Sequence, residues 1–137
     1  MRDYSSFSID RQADNHRSYF NIKFSILQKN QKIGYIKCYY FKRDKSLIIE
    51  DMNTQSGFQR KGLGLLRISE VLKFLKERNL EVKTAEAADV GAYYSTRASA
   101  EAFLSSLGFK EGEDDLSCGG NWCVDGKTLE TKLKEKL

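Results

Sequence analysis

Three observations on this 137-residue chain predict a mixed α/β (α+β) fold with a mostly antiparallel central sheet flanked by helices. Apolar residues recur with period two through successive runs in the first half. The period lengthens to about 3.6 after a glycine-bearing stretch. Strand-like and helix-like runs then alternate to the end, the pattern of a layered α/β architecture. A chain of this length fits one domain, because one core can still grow at this size, so residues 1–137 are expected to form a single unit. No proline, internal repeat or low-complexity tract marks a linker.

The first 18 residues are polar and mixed, with one short strand expected around Tyr4 to Ile9. "YFNIKFSILQ", Tyr19 to Gln28, places Phe20, Ile22, Phe24 and Ile26 on one face, the pattern of a half-buried strand. "KIGYIKCYYF", Lys32 to Phe41, is rich in β-branched and aromatic residues, and "KNQK" between the two runs fits a hairpin turn. "RDK" leads into "SLIIEDMNT", Ser46 to Thr54, so three strands with short joins suggest an antiparallel meander. Leu65, Ile68, Leu72 and Leu75 then mark an amphipathic helix from about Gly64 to Arg78. "LEVKTAEA" reads as a further strand, and "ASAEAFLSSLG" as a second helix closed by Gly108 where a left-handed cap is wanted. "FKEGEDDLSCGGNWCVDG" reads as two short strands around a Gly-Gly turn, and "KTLETKLKEKL" as a charged terminal helix or tail.

Hydrophobic residues make up 40% and charged residues 31%, with no run of about 18 apolar residues and no basic-then-apolar start. A soluble, cytoplasmic protein is expected, with no membrane partner. The net charge of +4 permits a phosphate-bearing ligand or an acidic partner. Nucleic-acid binding through the basic surface is disfavoured, because no reader motif is present. Cys38, Cys118 and Cys123 are an odd count in a chain without a secretory signal, which argues for reduced thiols. His16 is the sole histidine, and Cys118 and Cys123 have no further Cys/His partners, so no metal site is expected.

The junction "GFQRKGLG", Gly57 to Gly64, carries two cations and three glycines between a strand and a helix. A helix begins with four backbone N–H groups that have no intrahelical partner and with the positive end of its dipole, so it attracts anions. Gly62 and Gly64 let the backbone approach a phosphate closely, and Arg60 and Lys61 add charge at the rim. The plainer reading of the same octapeptide is a sterically convenient turn with two solvated cations. It lacks the third glycine of the dinucleotide fingerprint and the Gly-Lys-Ser/Thr of a P-loop.

"QRKGLG", Gln59 to Gly64, resembles the Gln/Arg-x-x-Gly-x-Gly/Ala signature of the GNAT superfamily of acyl-CoA N-acyltransferases, in which it follows the fourth strand and opens the third helix. "AEAFLSSLGF" is similar to the family's fourth helix, which ends in Leu-Gly-Phe, here Leu107, Gly108 and Phe109. The resemblance covers about Tyr19 to Trp122. It implies a GNAT-like fold with a shortened N-terminal helical region, since only Asp10 to Ser18 stands where the family carries helices that wall off the acceptor. It also implies acetyl-CoA as donor and an amine acceptor, either a protein or peptide or a small molecule enclosed by a second subunit of a homodimer. The residues so assigned to coenzyme A are Gln59, Arg60, Lys61, Gly62, Leu63 and Gly64 at the pyrophosphate and Met52, Asn53 and Thr54 along the pantetheine arm. Arg97, near the family's usual asparagine, is grouped with them.

An alkylammonium with a pKa near 10.4 leaves only about one molecule in a thousand as free nucleophile at neutral pH, so a base must take its proton. The family often uses a glutamate on the fourth strand. Glu50 is the match, and strict alternation would place Ile48, Glu50, Met52 and Thr54 on one face. The family's tyrosine acid falls on Leu104, a departure, which leaves Tyr93 and Tyr94 in "DVGAYYSTR" as candidate acids. The function implied is acetyl transfer to a primary amine by direct attack in a ternary complex. The alternative is a non-catalytic acyl-CoA-binding or regulatory module of the same fold.

Overall fold

The computed structural model describes residues 4–55, 57–58, 62–87, 97–111 and 122–137, with side chains from residue 100 onward in the fourth of these segments. The elements in chain order are β1 (Ser8–Asn15), β2 (Tyr19–Gln28), β3 (Gln31–Phe41), β4 (Ser46–Thr54), α1 (Leu63–Glu77), β5 (Thr84–Ala87), α2 (Arg97–Ser106), β6 (Lys110–Glu111), β7 (Trp122–Asp125) and α3 (Gly126–Lys136). The strands form one sheet in the order β1-β2-β3-β4-β5-β7-β6. Among the described residues only the β4–β5 pairing is parallel, because α1 provides the crossover between them. The mixed, mostly antiparallel sheet with flanking helices is as the sequence predicts.

The meander follows from its turns. Lys29 and Asn30 both have positive φ, 51° and 64°, which is the two-residue hairpin geometry whose twist matches that of the strands. β1 departs from expectation: it runs Ser8–Asn15 rather than Tyr4 to Ile9. All its residues but Ile9 are exposed, so no apolar alternation reveals it, and an unbroken register from Ser8↔Leu27 to Asn15↔Phe20 holds it in place. Arg11 adds a side-chain tie, with ion pairs to Glu70 at 2.9 Å and Glu77 at 3.0 Å on α1 and its guanidinium over the Phe24 ring. Residues 16–18 alone separate β1 from β2, so no helix stands between them.

The core lies where α1 crosses the sheet. Phe20, Ile22 and Phe24 of β2, Ile36, Cys38 and Tyr40 of β3, and Leu47 and Ile49 of β4 are buried against Leu65, Ile68, Val71, Phe74 and Leu75. Phe74 meets Phe20 and Phe24 edge to face at 5.9 and 5.4 Å. α2 ends as predicted: Gly108 has φ 90°, and the Phe109 and Gly108 amides donate to the Leu104 and Ser105 carbonyls.

The terminal segment is a helix rather than a tail. Asp125 caps it, accepting from the Thr128 hydroxyl at 2.7 Å and the Thr128 amide at 2.8 Å, and these bonds hold the Asp125 carboxyl below its ordinary range. Leu129 and Leu133 fix its inner face. The expectation of three reduced thiols does not hold, since Cys123 is disulfide-bonded while Cys38 is free and buried. An odd count excludes full pairing but not one bond.

Gly126 joins β7 to α3 where a Cβ would lie 1.8 Å from the Val82 carbonyl oxygen. Backbone cannot yield as a side chain does. Gly126→Ala is therefore expected to destabilise the protein by about 3 kcal/mol, read as a lower denaturant midpoint at unchanged m. A midpoint equal to that of the parent protein would contradict this packing.

Candidate active site

The register between β3 and β4 breaks at one place. Lys37 pairs with Asp51 and Cys38 with Ile49, so Glu50 is the extra residue of a β-bulge. A bulge shifts the strand's alternation and re-aims its side chains. Accordingly Leu47 and Ile49 are buried before it and Met52 after it, while Glu50 and Asp51 are both partly exposed. The expected face of Ile48, Glu50, Met52 and Thr54 is thus corrected: Met52 turns into the core with Leu47 and Ile49, away from Glu50. Strict alternation assumed a regular ladder.

The bulge lies where the β4–β5 ladder ends in the described residues. That pairing runs from Ser46↔Thr84 to Ile49↔Ala87, and Ala87 in turn pairs with Trp122 of β7. Two buried polar atoms near this end have no hydrogen-bond partner among the described residues, Glu50 Oε2 and Trp122 Nε1. Unsatisfied buried groups are rare in folded proteins, and a polar ligand at this end of the ladder would satisfy them. The Glu50 side chain is 42% exposed overall, so Oε2 is an occluded atom on a reachable group. Among the described residues it forms an ion pair with Lys37 Nζ at 3.8 Å, beyond hydrogen-bond range.

Sequence reasoning missed the groups around Glu50. The Tyr35 hydroxyl donates to Asp51 at 2.5 Å, and that bond, with burial, pushes the phenol's pKa up. Asp51 is thereby engaged, whereas Glu50 Oε2 accepts no hydrogen bond from the described residues. Burial, then the Glu50 carboxylate, pushes the Cys38 thiol up, so it remains protonated in the core. Period two on "GYIKCYY" could have placed Tyr35 and Lys37 on one face, but not their partners on β4.

Met52, Asn53 and Thr54 form the end of β4. Arg67 of α1, 1% exposed, reaches this segment and donates to the Asn53 carbonyl and to the Tyr35 carbonyl at 3.2 Å. Gly34 makes room for it: a Cβ there would sit 2.7 Å from the Asn53 oxygen and 2.9 Å from Arg67 Nη1. Arg67 thus ties α1 to the β4 edge assigned to the pantetheine arm.

At the other end of that tie, Gly62 is the N-cap of α1 with φ 75° and ψ 17°, a left-handed conformation that favours glycine. Among the described residues no side chain caps the helix, and its first turn holds no acidic residue. The Tyr4 hydroxyl donates to the Gly62 carbonyl at 2.8 Å and so holds the turn from outside. Leu63 and Gly64 are buried at the helix start. These features fit an anion held by main-chain donors. Gln59, Arg60, Lys61, Tyr93 and Tyr94 lie outside the described residues, as does the side chain of Arg97, the first residue of α2. Among the described residues no group of three or more His, Cys, Asp and Glu is placed to hold a metal, and no helix is long and apolar enough to cross a membrane.

Residues 2–109 match the acetyltransferase (GNAT) family. No curated protein matches the sequence. Among solved structures, the chain is similar to archaeal Elp3 from Methanocaldococcus infernus with TM-score 0.62 and 12% identity, covering 91% of this chain and 31% of that one. It is similar to the PaiA N-acetyltransferase of Thermoplasma acidophilum in complex with coenzyme A, with TM-score 0.58 and 13% identity over 79% of this chain and 60% of that one. The chain thus spans less than two thirds of either of these relatives. A third similar structure, the ribosomal-protein-S18-alanine N-acetyltransferase of Escherichia coli, has TM-score 0.62 and 15% identity, covering 88% of this chain and 94% of that one. Likeness at these identities establishes the fold.

Proposed function

The chain belongs to the GNAT acetyltransferase family, and from that premise we propose that it is an acetyl-CoA-dependent N-acetyltransferase acting on a primary amine by direct attack in a ternary complex. The observation that carries the reading is the bulge at Glu50. It presents a carboxylate with an unsatisfied, occluded oxygen at the end of the β4–β5 ladder.

In this reading the donor's pyrophosphate lies at the start of α1 around Gly62, Leu63 and Gly64, together with Gln59, Arg60 and Lys61, which precede them in the sequence. Its pantetheine arm follows Met52 to Thr54, and Arg97 lies on the cofactor side. Glu50 takes the proton from the attacking amine, and Tyr93 and Tyr94 are the candidate donors to the leaving sulfur. A thiolate whose thiol has a pKa near 8.5 is itself a tolerable leaving group. The three-residue β1–β2 join leaves the acceptor side open, which suits a protein or peptide amine, or a small molecule enclosed by a second copy.

Acetyl-CoA at about one hundred times its Kd stabilises the form that binds it by about 2.7 kcal/mol, so the melting point is expected to rise by roughly 10 °C. An unchanged melting point would sink the reading. A rise without thiol release from any of a broad panel of amines would instead favour a non-catalytic acyl-CoA-binding module.

A further inference from the structure

We propose that Lys37 is an acetyl acceptor within the chain itself, its amine delivered to Glu50 by the fold. The proposal rests on the reading of acetyl-CoA as donor and Glu50 as base. Four observations on the described residues single out this lysine. Its Nζ lies 3.8 Å from the occluded Glu50 Oε2, in an ion pair short of a hydrogen bond. A small shift closes that gap to the range in which a base abstracts a proton. The competing carboxylate, Asp51, is held by the Tyr35 hydroxyl.

The neighbouring lysines are directed elsewhere. Lys23 and Lys32 place their ammonium groups over the Tyr35 ring at 5.7 and 5.3 Å. Lys42 donates to Asn15 Oδ1 and the His16 carbonyl, and Lys45 pairs with Glu81. The Lys37 side chain is 37% exposed, so its amine can meet a thioester brought to the end of β4.

The step balances without a further reagent. Glu50 accepts a proton from the Lys37 ammonium, and the freed Nζ lone pair attacks the thioester carbonyl carbon. The C–N bond forms as the C–S bond breaks, the electron pair leaves on sulfur, and the thiolate takes up a proton as free coenzyme A. The product amide carries no charge. Its formation removes the Lys37–Glu50 ion pair and one of two like charges that face each other across β2 and β3, where Lys23 pairs with Lys37.

The test is to incubate the purified full chain with deuterium-labelled acetyl-CoA and map labelled peptides over time, following coenzyme A binding by thermal shift in the same samples. Lys37 should label at least about tenfold faster than Lys23 or Lys32, with a rate constant independent of protein concentration. Glu50→Gln should slow Lys37 labelling by about a hundredfold while labelling of Lys23 and Lys32 stays at the parent level. A melting shift of Glu50→Gln with coenzyme A shows that this variant is folded and binds. Equal labelling of all three lysines, or an unlabelled Lys37 in protein that binds coenzyme A, would overturn the proposal alone. Absence of any melting shift in the parent protein would overturn both the proposal and the reading beneath it.

Discussion

Gly62→Glu is expected to weaken coenzyme A binding by about a hundredfold, equivalent to about 2.7 kcal/mol, in a protein that remains folded. Gly62 is the residue from which α1 springs, in a left-handed conformation that costs a side-chain-bearing residue about 1 kcal/mol. That strain acts on stability. The loss of affinity comes from charge: no acidic group stands in the first turn of α1, so its positive end is open to an anion. A glutamate there places a carboxylate where a diphosphate would sit, and like-charge juxtaposition in an interface costs several kcal/mol. Gly62→Ala separates the two effects, since it imposes the same strain without the charge. It should lower the melting point at least as much as Gly62→Glu does, since the glutamate's charge is favourable at the helix start, yet keep affinity within about threefold of the parent value. Calorimetry that finds the parent Kd in Gly62→Glu would remove this loop from the binding site.

How much of this was legible in the chain depends on whether a feature is local. The period-two runs that became β2, β3 and β4 and the 3.6-residue period of α1 could be read directly, because each element buries one face against a common core. Even there, Val71 and Phe74 rather than Leu72 complete the buried stripe of α1. The cap at Gly108 was legible because glycine occupies a left-handed position at little cost. The comparable cap at Asn79, with φ 58°, carries a weaker signal. β1 was misplaced because an exposed strand held by its ladder carries no apolar pattern.

The candidate site was legible in type and not in arrangement. Glu50 stood out as a carboxylate in an apolar strand, and Gly62 as a glycine before a helix. The bulge is a property of two strands in register, so the sequence of β4 alone could not show that Glu50 is the unpaired residue or that Met52 changes sides. For the same reason Lys37 and Tyr35 became neighbours of Glu50 and Asp51 only when the ladder was seen. Arg67 is the extreme case. A cation within the helix pattern reads as solvent-facing, yet it is buried because Gly34, over thirty positions earlier, leaves space beside the Asn53 carbonyl.

Glu50→Gln should lower turnover of an added amine by about a hundredfold near neutral pH, the scale of a lost general base, and the deficit should shrink as pH rises. The substitution keeps the shape of the side chain and removes its ability to take a proton. With Glu50 ionised, an amine that arrives as its ammonium can be deprotonated in place, so the rate need not follow the small fraction of free amine in solution. With glutamine, only amine already neutral can attack. That fraction rises about tenfold per pH unit until the amine's own pKa near 10.4, so log kcat/KM of the variant should climb with a slope of about one where the parent profile is flatter. The two curves should converge at the alkaline end. The Lys37 ion pair bears on the same measurement, because Glu50 must exchange its internal cation for the incoming ammonium. Lys37→Met should therefore lower KM for a cationic acceptor by more than it changes kcat. Parallel pH profiles for parent and Glu50→Gln, offset by the same factor throughout, would assign Glu50 to binding or structure and leave proton removal to another group.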